Sequence, residues 1–304
     1  MTARSRSLAP SPALAFAVAA AGIGLFSVMD AFMKTLVLAI GVYNAMFWRS
    51  LVNVGLGAAA WRLGRSGRPS ARAIRLHLCR GGVTTLMALL FFWGLARVPM
   101  AQAIALTYIA PILALLLAAV ALGERVGRRV AFASLAAFGG VIVVVAGQSR
   151  GIATGGDGRG VAAILASAVL YAINLVIARV QAQAATPGEI TFFQSGVTAL
   201  LLALAAPWLA TMPAGAAWGQ LVIAACLSTA SLLLLAWAYA HGDTGFLATS
   251  EYTSFVYAAV LGWAVFGERV SGWTLAGAAI IVVACLYAAR RRDIGEGAVI
   301  GAAT

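Results

Sequence analysis

The residues able to do chemistry in this 304-residue chain are few and widely separated. Glu251 lies in a polar and aromatic patch, Thr249-Ser250-Glu251-Tyr252-Thr253-Ser254, with Tyr257 beyond it. Arg49 is flanked by Trp48 and has Asn44 and Asn53 close by on either side. A carboxylate in apolar surroundings can receive an ammonium group or carry a proton, and an arginine can hold a carboxylate through two parallel hydrogen bonds. Equally, buried charges can serve only to pair with each other or with backbone carbonyls. Asp30 and Lys34 have the i, i+4 spacing of a pair on one helix face and read as a surface pair. Thr84, Thr85, Thr107, Asn174, Gln194, Ser228, Thr229 and Ser231 sit among apolar neighbours. Each either bonds a neighbouring helix or lines a path for a polar solute.

Other chemistries lack their residues. There is no Walker loop for a nucleotide. His77 and His241 stand without a serine or metal constellation, and Cys79, Cys226 and Cys285 show no ligand spacing and read as packing residues. No catalytic residue, metal site or cofactor is expected, and the chain does not read as an enzyme. Any work it does on a solute must draw on gradients.

The elements that position these residues follow from composition. Hydrophobic residues make up 62% of the chain and charged residues 10%, against about 25% charged in soluble domains. With a mean hydropathy of +0.96, this is an integral membrane protein. A helix needs about 20 apolar residues to cross a bilayer, which predicts ten spans: 12–34, 41–61, 78–97, 100–122, 129–147, 160–180, 189–210, 216–240, 245–266 and 271–290. The runs are uniformly apolar where a membrane barrel would alternate, so the bundle is all-α. The first run resembles a signal peptide's opening, but it is too long for an h-region and Asp30 and Lys34 stand where cleavage would fall.

Arginine placement sets the expected orientation. With the N-terminus in the cytoplasm, 15 of the 21 Lys and Arg fall on that side: Arg4, Arg6, the six from Arg62 to Arg80, Arg125, Arg128, Arg129, Arg179 and Arg290 to Arg292. Both termini are then cytoplasmic. The formal charge of +12 is thereby spent on short loops beside anionic lipid headgroups, which argues against nucleic-acid binding.

Gly-Glu-Arg-Val occurs twice, at Gly123–Val126 and Gly267–Val270. The same offset of 144 places Trp93 on Trp237, Ala96 on Ala240, Tyr108 on Tyr252, and Leu89 and Leu90 on Leu233 and Leu234. A gapless register across three apolar segments indicates a duplicated unit. The predicted units are 1–150 and 151–304, joined by the polar, Gly-rich stretch Gln148 to Gly160. Five spans per unit is an odd number, so the second must enter the membrane from the opposite side. Inverted repeats of this kind recur in secondary transporters, with the substrate near the midplane between the halves.

Ten spans in two five-helix repeats, a short basic N-terminus and apolar helices ending in GERV resemble the EamA-type transporters of the drug/metabolite transporter superfamily. The resemblance covers essentially the whole chain, and within the family the chain is most similar to bacterial amino-acid exporters of the YddG type. It implies a cavity surrounded by the third, fourth, eighth and ninth helices. The implied function is a secondary transporter exporting neutral or aromatic amino acids across a bacterial inner membrane by alternating access, with proton coupling open. The alternative is a transporter of the same fold for another metabolite: a nucleobase, riboflavin or a drug.

The candidate substrate and cavity residues are Arg49, Trp93, Thr107, Tyr108, Asn174, Gln194, Trp237, Glu251 and Tyr252. The inverted register puts Trp93 and Tyr108 toward the outside and their mates toward the inside, which predicts a mirrored pair of aromatic gates; interfacial belts are the competing reading. Arg49 and Glu251 differ in expected depth by about 8–10 Å, which leaves an ion pair between them open. Glu124 and Glu268 fall at helix ends, binding headgroup water or backbone amides. Pro111 should loosen the fourth span, whereas its mate Phe255 leaves the ninth without a proline.

Overall fold

The computed structural model describes residues 11–63, 69–121, 128–149, 157–182, 184–241, 247 and 249–289. The first GERV copy, with Glu124 and Arg125, lies outside them, as do Arg4, Arg6, Arg150 and Arg290 to Arg292.

All regular elements among the described residues are helical. They are α1 (Pro12–Leu63), α2 (Ala71–Leu95), α3 (Met100–Thr107), α4 (Ala110–Ala121), α5 (Arg128–Ser149), α6 (Gly158–Ala182), α7 (Pro187–Ala203), the short α8 (Ala206–Leu209), α9 (Gly215–His241), a 3-10 turn (Thr249–Tyr252), α10 (Thr253–Phe266) and α11 (Gly272–Ala289). The expected ten passes are present. α1 supplies two of them because Gly41, at φ 78° and ψ 157°, adopts a backbone that a side chain would oppose and turns the chain back. Twenty helical residues would span about 30 Å, yet Arg49 Nη1 lies 3.0 Å from Met29 Sδ. Pro12 and Ala289 thus lie at one face, here the near face, and Gly41 at the far face.

The fourth and ninth passes are both interrupted, by different means. Between α3 and α4, Pro111 has no N–H to offer and its ring opposes the carbonyl four residues earlier, at Thr107. α3 ends there, and the Tyr108 N–H turns to the Ala105 carbonyl at 3.3 Å. In the ninth pass three hydroxyls replace the proline. Ser250, Thr253 and Ser254 each donate to the carbonyl three residues back, at Leu247, Ser250 and Glu251, all at 2.6 Å. Such local bonds compete with the α ladder and favour the tighter 3-10 turn.

The halves pack as mirror partners. The first leg of α1 lies on α9 as α2 lies on α6, and α10 meets α1 as α4 meets α6. The pairs α5 with α11, α3 with α10, and the second leg of α1 with α7 join equivalent helices across the two-fold axis. Where α5 crosses α11, a Cβ on Gly277 would sit 2.6 Å from the Gly140 carbonyl oxygen, so only small residues permit that approach. Leu135, Ile142, Trp263 and Val283 point outward, each at least 65% exposed, as a lipid-facing belt requires.

Candidate functional site

The two interruptions meet. Tyr108 and Tyr252, mates under the 144-residue offset, stand edge to face with ring centroids 5.3 Å apart. Ser254 spends its hydroxyl hydrogen on the Glu251 carbonyl, so the Tyr108 hydroxyl donates toward Ser254 Oγ at 2.8 Å and the Tyr252 carbonyl at 3.2 Å. The Cys285 thiol closes the arrangement on the Tyr108 carbonyl at 3.3 Å. For the tyrosines, the expected mirrored gates toward opposite faces are therefore corrected to one shared contact on the axis. Thr107 turns its hydroxyl back to the Ile104 carbonyl at 2.7 Å, serving the end of α3.

The tryptophans are held locally, away from this contact. Arg97 stacks on Trp93 at 3.6 Å and donates to its carbonyl, while His241 stacks on Trp237 at 4.5 Å and bonds its carbonyl at 2.8 Å. Arg97 and His241 are themselves mates in the 144-residue register. Each tryptophan is thus clamped at its own face by a residue one turn on, as a belt residue would be.

The charged residues are rearranged relative to expectation. Asp30 and Lys34 are no surface pair: both are buried and they look apart. Lys34 donates to the Val98 carbonyl at 2.8 Å and pairs with Glu268 Oε1. Glu268 Oε2 accepts the Met100 N–H at 2.7 Å, so the glutamate of the second GERV caps α3 of the other half. Asp30 instead lies within electrostatic reach of Arg49. Arg49 does not pair with Glu251. Its Nη1 and Nη2 point at the thioethers of Met29 and Met46, at 3.0 and 3.5 Å, and its plane covers Phe92 at 5.2 Å. Arg49 Nε and Asn53 Oδ1 are buried without a hydrogen-bond partner. Asn44, the other flanking amide, accepts the Thr211 N–H at 2.9 Å and anchors the loop before α9.

Glu251 stands exposed in its 3-10 turn, within electrostatic reach of Tyr239 of α9 and Tyr171 of α6. Asn174 accepts from Arg80 Nε at 2.8 Å and from Thr84 at 3.2 Å. Arg80 also donates to Gln181 at 2.6 Å, Gln181 bonds His77 Nδ1 at 2.7 Å, and His77 Nε2 meets Glu189 at 2.8 Å. This chain links α2, α6 and α7 toward the near face. Gln194 is half-buried on α7 and joins none of it among the described residues. Sequence reasoning missed Arg80, Gln181 and Glu189 as partners and passed over His77, because their register mates are Ala224, Val37, Ala45 and Leu221. Thr85 and Ser231 do the ordinary work of gluing helices, the first to Thr198 at 2.9 Å and the second to the Gly22 carbonyl at 2.7 Å.

The sequence pattern of the EamA-like transporter family fits residues 12–146 and again residues 158–290. The chain belongs to the EamA-like transporter family. It is a multi-pass membrane transporter of two EamA repeats and not an enzyme. It is 28% identical over 274 residues to the pseudopaline exporter CntI of Pseudomonas aeruginosa, covering 88% of this chain and 93% of that one. A riboflavin transporter of Rhizobium johnstonii is 31% identical over 240 residues, 77% of this chain and 74% of the relative. The riboflavin transporter of Vibrio cholerae is 26% identical over 217 residues, 69% of this chain and 70% of its own. A solved crystal structure at 22% identity superposes with a TM-score of 0.62 over 91% of this chain and 97% of that one, which supports the fold alone. These relatives do not single out the YddG-type amino-acid exporters, and that finer expectation gives way to family membership.

Proposed function

We propose that this EamA-family member is a secondary transporter of a small polar metabolite, moved by alternating access through the region where the two interrupted passes meet. The observation that carries this reading is the contact of Tyr108 with Tyr252, which places two broken helices face to face on the axis between the repeats. Broken helices expose backbone groups that a continuous helix consumes, and near the midplane of an inverted repeat such groups bind solutes. The relatives favour a metabolite other than a plain amino acid, since those named above export pseudopaline or transport riboflavin. Counterflow into proteoliposomes with radiolabelled riboflavin, pseudopaline, nucleobases and amino acids tests it. Exchange of at least one supports transport, and exchange of none by folded, monodisperse protein sinks it.

Export of neutral or aromatic amino acids is the second reading. The carboxylate of Glu251, close to Tyr171 and Tyr239, suits an ammonium group or a coupling proton beside an aromatic side chain. Under this reading Glu251→Gln changes the dependence of exchange on a pH gradient, and an unchanged dependence removes Glu251 from coupling. The two EamA repeats are taken as 1–150 and 151–304, in a bacterial-type inner membrane with both termini cytoplasmic. A C-terminal reporter active only in the periplasm should stay silent; activity would invert the orientation.

A further inference from the structure

Arg49 is a cation whose best bonds are unmade. A guanidinium offers five N–H donors, and a thioether sulfur is a weak acceptor. Yet its two hydrogen-bond contacts are to Met29 Sδ and Met46 Sδ, and its Nε has no partner. An arginine kept only to hold two helix legs together would close on the nearest carboxylate, since a buried charge left without oxygen partners is costly. Asp30 is adjacent to Met29 in sequence and interacts with Arg49 electrostatically, but no hydrogen bond joins them among the described residues. One turn beyond Arg49 on the same helix face, Asn53 Oδ1 is a buried acceptor that is also unpartnered. A strong donor with Phe92 against its guanidinium, an orphan acceptor one turn along the same helix, and an unbonded carboxylate within electrostatic reach of the donor therefore lie on the two legs of α1.

Depth agrees with a solute site. Counted from the turn at Gly41, Asp30 and Arg49 lie about 16 and 12 Å into the bilayer, close to the middle of its roughly 30 Å core. Methionine side chains are flexible, so the two sulfurs can yield to a better acceptor without disturbing the backbone.

We infer that Arg49, with Asn53 and Asp30, is the receptor for a carboxylate-bearing metabolite that also carries an amino group. The carboxylate displaces Met29 and Met46 sulfur from the guanidinium, and the amine takes Asn53 Oδ1 and the Asp30 carboxylate. Phe92 covers the pair and keeps water from competing with it. This inference rests on the transport reading above and narrows its substrate to an amphoteric class.

The test is counterflow by the full chain in proteoliposomes, with L-phenylalanine, L-leucine, pseudopaline and riboflavin as labelled substrates. L-phenylalaninamide and L-leucinamide serve as competitors that keep the amine and lose the carboxylate. Either labelled amino acid should exchange, with its amide competing about tenfold or more worse than the acid, and Arg49→Gln should remove most of that discrimination. The half-saturation concentration for the acid should rise about tenfold to a hundredfold in Arg49→Gln, the loss expected when charge-assisted hydrogen bonds go. Arg49→Lys should restore part of it, and Asn53→Ala should weaken both acid and amide. Acid and amide competing equally, or Arg49→Gln lowering maximal rate with the discrimination intact, overturns the inference. Riboflavin exchange unaffected by Arg49→Gln, with neither amino acid exchanging, also overturns it while leaving the transport reading standing. Exchange of no substrate overturns both.

Discussion

The two faces of the bundle are tied by different chemistry, although one repeat supplies the backbone plan of both. At the far face two formal charges meet directly. Lys34 of the first pass pairs with Glu268 after the ninth, and the same carboxylate caps α3. At the near face the tie is a relay in which amides and an imidazole stand between the charges, from Arg80 through Gln181 and His77 to Glu189. Lys34 has Ala178 as its register mate, and the near-face residues have apolar mates. Duplication thus preserved helix packing and left the polar contacts free to diverge. A charge pair with a cap breaks all at once; a relay can lose one bond and rearrange.

The largest expected effect follows from that contrast. Glu268→Ala leaves Lys34 buried without its carboxylate and Met100 without its acceptor. Breaking a buried pair at one end costs about 3–5 kcal/mol, so unfolding in mixed micelles should shift by that order. Cysteine introduced at Leu38, on the far-face rim, should react faster with a membrane-impermeant thiol reagent when Glu268 is gone. Glu268→Gln keeps an acceptor for Met100 and should fall between. Equal behaviour of the Ala and Gln variants would show that the cap carries nothing.

His77→Ala tests the relay. His77 is buried and stacked on Phe193 at 4.5 Å, and its loss leaves both Gln181 and Glu189 short of a partner. Leaving a buried polar group unsatisfied costs about 1–3 kcal/mol, which is less than the far-face break. His77→Phe retains the stack and isolates the hydrogen bonds. If His77→Ala proves as damaging as Glu268→Ala, the two faces are tied with equal strength and the contrast drawn between them fails.

A milder pair compares the belts. Arg97→Ala removes a cation from Trp93 at the far face, and an exposed cation–π contact is worth about 0.5–1 kcal/mol. His241→Ala removes a stacked ring from Trp237 at the near face. Tryptophan fluorescence should report each loss locally, with no change in transport rate. A changed rate in either variant would return that tryptophan to the role of a gate.

How much of this was readable beforehand depended on whether a residue had a register mate. The ten passes, their inversion and the pairing of Tyr108 with Tyr252 as mates all followed from apolar run length and the 144-residue offset. That the tyrosines touch was not readable, because the offset fixes equivalence and says nothing of distance from the axis. Pro111 announced the first break, and the hydroxyls of Ser250, Thr253 and Ser254 announced the second only once their bonds to carbonyls were seen. Arg49 was singled out for its type and its apolar setting. The ion pair with Glu251 that helical depth left open is not made: the turn at Gly41 folds α1 on itself and brings Met29 and Asp30 to Arg49, a contact between legs that depth alone does not give. Lys34 with Glu268 was missed because the i, i+4 spacing offered Asp30 as the nearer partner, while Glu268 lies 234 residues away in sequence.

The smallest effect tests whether the mirror holds at the level of single bonds. Ser167 of α6 donates to the Met87 carbonyl of α2 at 3.0 Å, and Ser231 of α9 donates to the Gly22 carbonyl of α1 at 2.7 Å. The helix pairs are equivalent, but the donor sits on the sixth pass in one and on the eighth, the equivalent of the third, in the other. The serines are thus not register mates. Inter-helix bonds of this kind average about 0.6 kcal/mol in membranes, because the unfolded chain in lipid also finds partners. Ser167→Ala and Ser231→Ala should therefore each lower stability by about that amount, and the double variant by their sum, since the two sites share no residue. A marked excess in the double variant would mean that the two helix pairs move as one body. The contrast between the faces would then lie wholly in the charged contacts at their rims, with none of it in the packing between them.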